Sequence, residues 1–170
     1  ARWWPDQPTL LAGRDLQAGG TWMGLERSGR FAIVTNYREP EPLTTGLSRG
    51  KLCRDFLISR ATANEFLASL QATAAPYNRF NLLLWDGSQL MNFCNREARP
   101  RVLRPGIYGL SNGLLNESWP KVSSGRRALA HALSREFSVT RCLHLLADRS
   151  APADDLLPDT GVGLSQEQLL

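Results

Sequence analysis

Two apolar runs rich in β-forming residues, separated by Asp86-Gly87-Ser88, constrain the fold of this chain most strongly. They cover residues 80–85 and 89–95. Because an Asp-Gly pair accepts the positive φ angles of a type I′ turn, the arrangement predicts a tight hairpin. Strands joined by so short a turn are antiparallel. The sequence therefore predicts an antiparallel sheet built around this hairpin.

Further strands and helices are expected on both sides of the hairpin. The remaining strands are expected at 21–26, 31–37, 101–103 and 107–110. Residues 1–20 are expected to be an irregular segment that leads into the first of these strands. Helices are expected at 51–59, from the capping box of Thr62 and Glu65 onward, at 121–133 and at 139–148 with Ser138 as its cap. Because no β-α-β alternation is present, the pattern favours an α+β fold with antiparallel sheet.

The loop at 38–50 carries two prolines and two glycines and is long enough to be functional, as an active-site lid would be. At the other end of the chain, residues 150–163 are typical of a linker, and 165–170 of a helix that has only begun. Together with the start at Ala1, this leads us to expect a trimmed chain.

Length and composition place the chain among globular proteins. Its 170 residues fit a single domain, and 42% hydrophobic against 21% charged residues exclude a disordered polypeptide. No apolar run approaches the roughly 20 residues of a membrane-spanning helix, and the start lacks a signal-peptide pattern. A cytoplasmic location is therefore expected.

Motifs for metals, nucleotides and nucleic acids are not evident in the sequence. The three cysteines, Cys53, Cys94 and Cys142, lack C-x-x-C spacing and are expected to be reduced structural thiols. The arginines clustered at 96–104 are not interleaved with stacking aromatics, so we expect no nucleic-acid partner.

Both histidines are expected on exposed helix faces. His131 lies between Arg127 and Arg135, whereas Leu129 and Leu133 are expected to be buried. For the helix of His144, the expected buried face comprises Val139, Cys142, Leu143 and Leu146.

Three segments at predicted strand ends combine small, polar and aromatic residues: 19–22, 35–38 and 109–112. Glycine lets a backbone approach a ligand closely, and an asparagine amide can donate to a developing oxyanion. Ordinary turns are the alternative, because glycine, asparagine and serine dominate them.

The same segments resemble the NRDE-motif family, also called the transport-and-Golgi-organisation protein 2 family. The resemblance covers about residues 10 to 162 in matching order. Its motifs are Leu11-Ala12-Gly13-Arg14-Asp15-Leu16, Gly19-Gly20-Thr21-Trp22-Met23-Gly24, Thr35-Asn36-Tyr37-Arg38, Tyr108-Gly109-Leu110-Ser111-Asn112 and Trp119-Pro120-Lys121.

The resemblance implies an αββα sandwich similar to N-terminal-nucleophile hydrolases, as a single domain over 1–170 that lacks its N-terminal and C-terminal strands. It further implies hydrolysis of a small acyl-amide or peptide bond by an N-terminal cysteine that this chain does not contain, so the chain as it stands is expected to be inactive. Asn36 and Asn112 match the oxyanion donors of such sites. The residues implied in substrate binding are Gly20, Thr21, Trp22, Tyr37, Arg38 and Ser111.

The alternative is a non-catalytic protein that binds or carries haem or an acyl or lipid ligand, since family members are implicated in handling both. No cofactor or metal is expected to be required, and haem enters only as a ligand. A structural or interaction domain without a small-molecule site is a third possibility.

Overall fold

The computed structural model describes residues 1–40 and 46–168, and they form two compact units. The first, here called the sheet unit, comprises residues 1–37 and 46–104. The second, the helical unit, comprises 38–40 and 105–168. The single domain expected over 1–170 stays a prediction, because compact units can belong to one domain. Part of the expected lid, residues 41–45, lies outside the described residues.

The sheet unit contains a seven-stranded antiparallel meander, in which each strand pairs with its neighbours along the chain. The strands are β1 (Arg2–Trp4), β2 (Gln7–Ala12), β3 (Met23–Glu26), β4 (Phe31–Asn36), β5 (Phe80–Trp85), β6 (Leu90–Cys94) and β7 (Arg101–Leu103). Together with the helices this confirms the α+β class with antiparallel sheet.

The first two strands correct the expectation of an irregular approach at residues 1–20. Trp4 is buried, and its indole N–H donates to the Ala12 carbonyl at 3.3 Å. Pro8 stands at none of the paired positions of β2, so its missing N–H breaks no ladder bond. Proline was therefore a misleading signal here.

The hairpin at Asp86 is confirmed, but its predicted turn type is wrong. Gly87 has φ of 99°, whereas Ser88 is not among the described non-glycine residues with positive φ. A type I′ turn needs positive φ at both central residues, and neither neighbour of Gly87 is among the described non-glycine residues with positive φ. The Asp86 carboxylate closes the turn by accepting the N–H groups of Ser88 and Gln89, both at 2.9 Å.

Two helices, α1 (Gly50–Ile58) and α2 (Ala63–Thr73), complete the core of the sheet unit. The capping box of Thr62 and Glu65 is present and explains where α2 begins. The core comprises side chains from the two helices and from one face of the sheet, among them Leu10, Val34, Leu52, Phe56, Leu57, Leu67, Phe80, Leu82, Leu84 and Phe93.

The opposite face of the sheet carries a row of apolar residues beside the buried polar residues Asn81 and Asn92. Strand register places one residue from each of the seven strands in a single row: Trp3, Leu11, Leu25, Phe31, Trp85, Leu90 and Leu103. All seven are half-buried or exposed. Two apolar faces are what a sheet in a layered sandwich requires, although the αββα arrangement itself stays a prediction.

The helical unit contains α3 (Pro120–Leu133), α4 (Val139–Leu145), a short 3₁₀ helix (Asp154–Leu156) and α5 (Leu164–Glu167). The strand predicted at 107–110 is wrong. There, Asn116 holds a loop closed, because its backbone N–H donates to the Gly109 carbonyl and its side-chain oxygen accepts the Gly109 N–H. Asn116 adopts φ of 63°, a conformation that asparagine tolerates.

The exposed positions of both histidines and the Ser138 cap of α4 are confirmed. The expected buried faces are wrong: Leu129 and Cys142 are half-buried, Leu133 is 45% exposed, and α4 has no buried residue. The exposed large apolar residues of α4 and its C-cap are Val139, Leu143 and Leu146. In α3 the buried residues are Val122 and Ala132. The spacing of apolar residues predicts which face of a helix is apolar. It does not predict whether another element packs against that face.

A substitution at Gly20 can test the close packing at the start of α1. A Cβ atom there would lie 2.6 Å from the Gly50 carbonyl oxygen and 2.7 Å from the Lys51 nitrogen, and neither backbone atom can move cheaply. We expect Gly20→Ala to lower the free energy of unfolding of the full chain by about 1–3 kcal/mol in urea denaturation. Gly13→Ala is the matched control, because a Cβ at Gly13 meets nothing within 4 Å. Equal effects of the two changes would contradict this reason for glycine at position 20.

Asp86 provides a pH-dependent test of the fold. Burial raises its pKa, but hydrogen bonds from Ala63, Gln89 and Ser88 outweigh burial and hold that pKa well below its ordinary value. Asp86→Asn would set an amide donor against the Ala63 N–H, so we expect a loss of about 1–3 kcal/mol at pH 7.

Because the folded-state pKa of Asp86 is depressed, the carboxylate contributes stability above the unfolded-state pKa and loses it as pH falls through the folded-state value. The difference between wild type and Asp86→Asn should therefore narrow below about pH 4 in urea denaturation across pH. The exposed Asp155→Asn is the control. A difference that is constant with pH would contradict the role of the charge.

Candidate functional site

The helical unit contains a cavity of about 410 Å³, here called the Trp119 cavity. It combines a charged floor with apolar walls of proline and leucine. The lining residues that matter most are Arg38, Trp119, Lys121, Arg149, Leu157 and Glu167.

Arg38 lies at the floor of the Trp119 cavity. Its side chain is only 9% exposed, and one terminal nitrogen, Nη1, pairs with the carboxylate of Glu167. The guanidinium carbon lies 5.4 Å from the centroid of the Trp119 ring, which is within cation–π range. The backbone N–H donates to the Asn112 carbonyl at 2.6 Å. The second terminal nitrogen, Nη2, is buried and has no hydrogen-bond acceptor among the described residues.

Glu167 is the buried counter-charge of Arg38. Its side chain is 4% exposed and belongs to α5, the helix that begins after Gly163 at φ of 87°. The Glu167 carboxylate also accepts the Thr160 N–H at 3.0 Å and the Thr160 hydroxyl. Burial raises the pKa of Glu167, but the Thr160 hydrogen bonds and the charge of Arg38 outweigh it, so that pKa lies below its ordinary value.

Lys121 brings a second cation to the same aromatic ring. It occupies the first turn of α3, and its Nζ lies 5.7 Å from the Trp119 centroid. Burial and the charge of Arg38 lower the pKa of Lys121, whereas Glu167 opposes them. Trp119 is the N-cap of α3, and Pro120 follows it at the first helical position, where its missing N–H costs nothing. The start of α3 therefore fixes both the ring and the lysine.

Charges lining the cavity favour an anionic occupant. Among its described lining residues, the cations Arg38, Lys121 and Arg149 outnumber the carboxylates Asp148 and Glu167 by one. Apolar groups of Pro120, Pro152, Leu157 and Pro158 line the same space. An organic molecule with an apolar body and an acidic group satisfies both features.

Three of the residues expected to bind substrate lie in the sheet unit near the start of α1. Gly20 and Thr21 are buried, and the Thr21 N–H donates to the Gly50 carbonyl at 3.0 Å. The Thr21 hydroxyl donates to the Met23 carbonyl at 2.9 Å, so both residues already have a packing role. Trp22 is 54% exposed and is available for contact.

Other expected site residues divide between the two units. Asn36 is the exposed last residue of β4 in the sheet unit. Tyr37 is half-buried and lies 5.2 Å below the Arg96 guanidinium. In the helical unit, the Ser111 hydroxyl donates to the Asn112 side-chain oxygen at 3.4 Å. Within the helical unit, the structure thus brings Arg38 and Asn112 together through the backbone.

The cysteines have structural surroundings. Cys53 is buried in α1, its thiol donates to the Trp22 carbonyl at 3.7 Å, and burial raises its pKa to about 12. Burial also raises the pKa of Cys94, and Cys142 is half-buried. A thiolate nucleophile needs a lowered pKa, so Cys53 and Cys94 are not nucleophiles, and all three are free thiols as predicted.

The sequence does not predict that Trp119, Lys121 and Glu167 line one cavity, or that Thr160 donates hydrogen bonds to Glu167. Trp119 and Lys121 were noticed only through the resemblance, and Glu167 lay in a short polar stretch without a motif. In the part of the chain that is described, no three metal-ligating side chains cluster. Over the same residues, no helix is long and apolar enough to cross a membrane.

Comparisons with a family profile and with individual relatives point to the same family. The sequence profile of the family described as "Transport and Golgi organisation 2" matches residues 1–170. The chain is 32% identical over 170 residues to the mouse "Transport and Golgi organization 2 homolog", covering 91% of this chain and 62% of that protein. It is 34% identical to the bovine homolog over the same coverage of both proteins.

The human "Transport and Golgi organization protein 2 homolog" is 34% identical over 144 residues, which cover 79% of this chain and 52% of the human protein. The chain thus spans about three fifths of the mouse and bovine relatives. Because the family profile matches the whole chain, the chain belongs to the Transport and Golgi organisation 2 family.

Proposed function

We propose that this chain forms the ligand-binding part of a protein that holds a small acyl compound with an acidic group. The observation that carries the proposal is the buried Arg38 guanidinium, which lies beside Trp119 with one terminal nitrogen unmatched by any described acceptor. The cavity volume of about 410 Å³ falls within the roughly 300–1,000 Å³ of small-molecule sites. The acidic group would bind at the charged floor, and the acyl chain would contact the apolar walls.

The names of the mouse and bovine relatives refer to transport and Golgi organisation. A protein that carries an acyl ligand fits that description without any chemical step. A cytoplasmic location is part of this proposal. Haem is the alternative ligand, because it also combines an apolar body with carboxylates. His131 and His144 lie on exposed helix faces and are not expected to coordinate its iron.

N-octanoylglycine is a suitable probe because it carries both an acyl chain and a carboxylate. We expect saturable binding to the full protein by isothermal titration calorimetry. Ala151→Trp would fill the Trp119 cavity and should weaken binding at least about tenfold, since the bound ligand and the new ring would overlap. Ala153→Trp, two residues away and exposed, is the control.

Equal binding by the two alanine variants, or no saturable binding of the probe, would contradict an acyl-ligand site in this cavity. Haem is tested in parallel by its absorbance shift. If N-octanoylglycine does not displace bound haem, haem binds elsewhere in the protein.

Amide hydrolysis by the complete protein is the second candidate function. It is favoured by Asn36 and Asn112, which match the oxyanion donors implied by the resemblance to N-terminal-nucleophile hydrolases. In this proposal the nucleophile is an N-terminal cysteine outside these 170 residues, whose own amine is the base. The resemblance implies that Gly20, Thr21, Trp22, Tyr37 and Ser111 bind the substrate. The αββα sandwich is part of the same proposal, and the apolar row on the second face of the sheet supports it.

Labelling of the complete protein tests this candidate. A thiol-directed acylating probe followed by intact mass and peptide mapping should label a processed N-terminal cysteine but not Cys53. If it does, Asn36→Ala and Asn112→Ala should each lower kcat for N-octanoylglycine hydrolysis by about 10²–10³. Asn64→Ala, an exposed position of α2, is the control. Absence of label at the N-terminus would eliminate hydrolysis and leave ligand binding.

A further inference from the structure

We infer that the Trp119 cavity is a receptor for a singly charged carboxylate, which Arg38 and Lys121 bind beside the Trp119 ring while Glu167 competes for Arg38 from within the chain. The inference rests on the proposed function and names the chemical class of the acidic group. It also assigns Glu167 the role of an internal competitor.

The first step concerns the hydrogen-bonding capacity of Arg38. A guanidinium presents parallel donors that match the two oxygens of a carboxylate. Glu167 engages Nη1, whereas Nη2 is buried without an acceptor among the described residues. Leaving a buried charged donor unmatched costs free energy, which an incoming carboxylate oxygen would recover. Because Nη2 is buried, that oxygen can reach it only if a neighbouring group shifts, and Glu167 is the group that a carboxylate can replace.

The second step concerns the charge of the occupant. The cations of the described lining exceed the carboxylates by one, so one negative charge balances the cavity. A phosphate monoester carries about −1.5 to −2 near neutral pH, and its excess charge would face Asp148 and Glu167. A carboxylate carries a single charge, so this balance favours carboxylate over phosphate.

The third step concerns Lys121. The charge of Arg38 contributes to lowering the pKa of Lys121, which means that the two cations repel each other. An anion placed between them would offset this repulsion. The Arg38 guanidinium and the Lys121 ammonium both lie over the Trp119 ring, 5.4 Å and 5.7 Å from its centroid, and the ring adds an apolar surface for the first carbons after the carboxylate.

The fourth step concerns Glu167. Its carboxylate has the chemistry that the inference assigns to the ligand, and the Thr160 N–H and hydroxyl hold it in place. Glu167→Gln keeps the shape of this side chain but removes its charge. The change should therefore weaken the attraction between residue 167 and Arg38, and it should also weaken the repulsion between residue 167 and an incoming anion.

The experiment compares octanoate, octyl phosphate and octanol by isothermal titration calorimetry on the full protein. Octanoate should bind about tenfold or more tightly than either of the others. Arg38→Met should weaken octanoate binding about tenfold or more and leave octanol binding unchanged, whereas Arg38→Lys should recover only part of the loss because the fork is absent. Glu167→Gln should strengthen octanoate binding by about three- to tenfold.

Arg135→Met is the control, since it removes an exposed arginine of the same unit that does not line the cavity. Thermal melting of each variant separates folding from binding. If Arg38→Met does not fold, Arg38→Lys and Glu167→Gln decide the outcome. A purely structural ion pair predicts that Glu167→Gln lowers the melting temperature and does not strengthen octanoate binding, and that result overturns the inference.

The remaining outcomes separate this inference from the proposed function. If octanoate and octanol bind equally tightly, and Arg38→Met changes neither affinity, the cavity binds acyl chains but is not a carboxylate receptor. Tighter binding of octyl phosphate than octanoate also overturns the inference. If no octyl compound binds, the acyl function fails, and acetate then decides the inference alone. Acetate should raise the melting temperature of wild type but not of Arg38→Met, relative to chloride at equal ionic strength, and equal shifts reject the receptor.

Discussion

The pairing of β4 with β5 is the constraint on which the sheet unit depends. Six consecutive residues are in register, from Phe31 opposite Trp85 to Asn36 opposite Phe80. Side chains alternate between faces along a strand, so this register places Ala32 and Val34 in the core with α1 and α2. A slip by one residue would exchange the two faces and put Phe31 and Trp85 where Ala32 and Leu84 now pack. The register therefore fixes which residues each neighbouring strand must present.

Local signals predicted much of this fold because their physics is local. The turn at Asp86, the capping box at Thr62 and the cap at Ser138 each satisfy backbone groups within four residues, so the sequence contains the whole interaction. The expectations that failed depended on distant partners. The first two strands are ordered by burial of Trp4, and the loop at Gly109 is held by Asn116 in place of a neighbouring strand.

In the candidate site, too, local features are predictable from the sequence and contacts between distant residues are not. The resemblance implies that Arg38 binds substrate, but its partner Glu167 lies 129 residues away and belongs to a short helix without a motif. No spacing rule connects positions so far apart, because only tertiary packing joins them. Trp119 belongs to a motif of the family resemblance, but the sequence does not predict that Arg38 and Lys121 both lie over its ring.

Burial of the Arg38–Glu167 pair is weak evidence that the pair stabilises the fold. Two charges withdrawn from water lose much of what their attraction returns, so a buried ion pair often stabilises a fold less than apolar residues of similar volume. Here the cost is larger still, because the guanidinium keeps a buried donor that no described acceptor satisfies. Glu167 accepts further hydrogen bonds from Thr160, so Arg38 is the member of the pair whose hydrogen-bonding capacity is not fully used. The inferred carboxylate receptor would account for this imbalance, because a site that exchanges an internal carboxylate for an external one needs a cation with an unsatisfied donor.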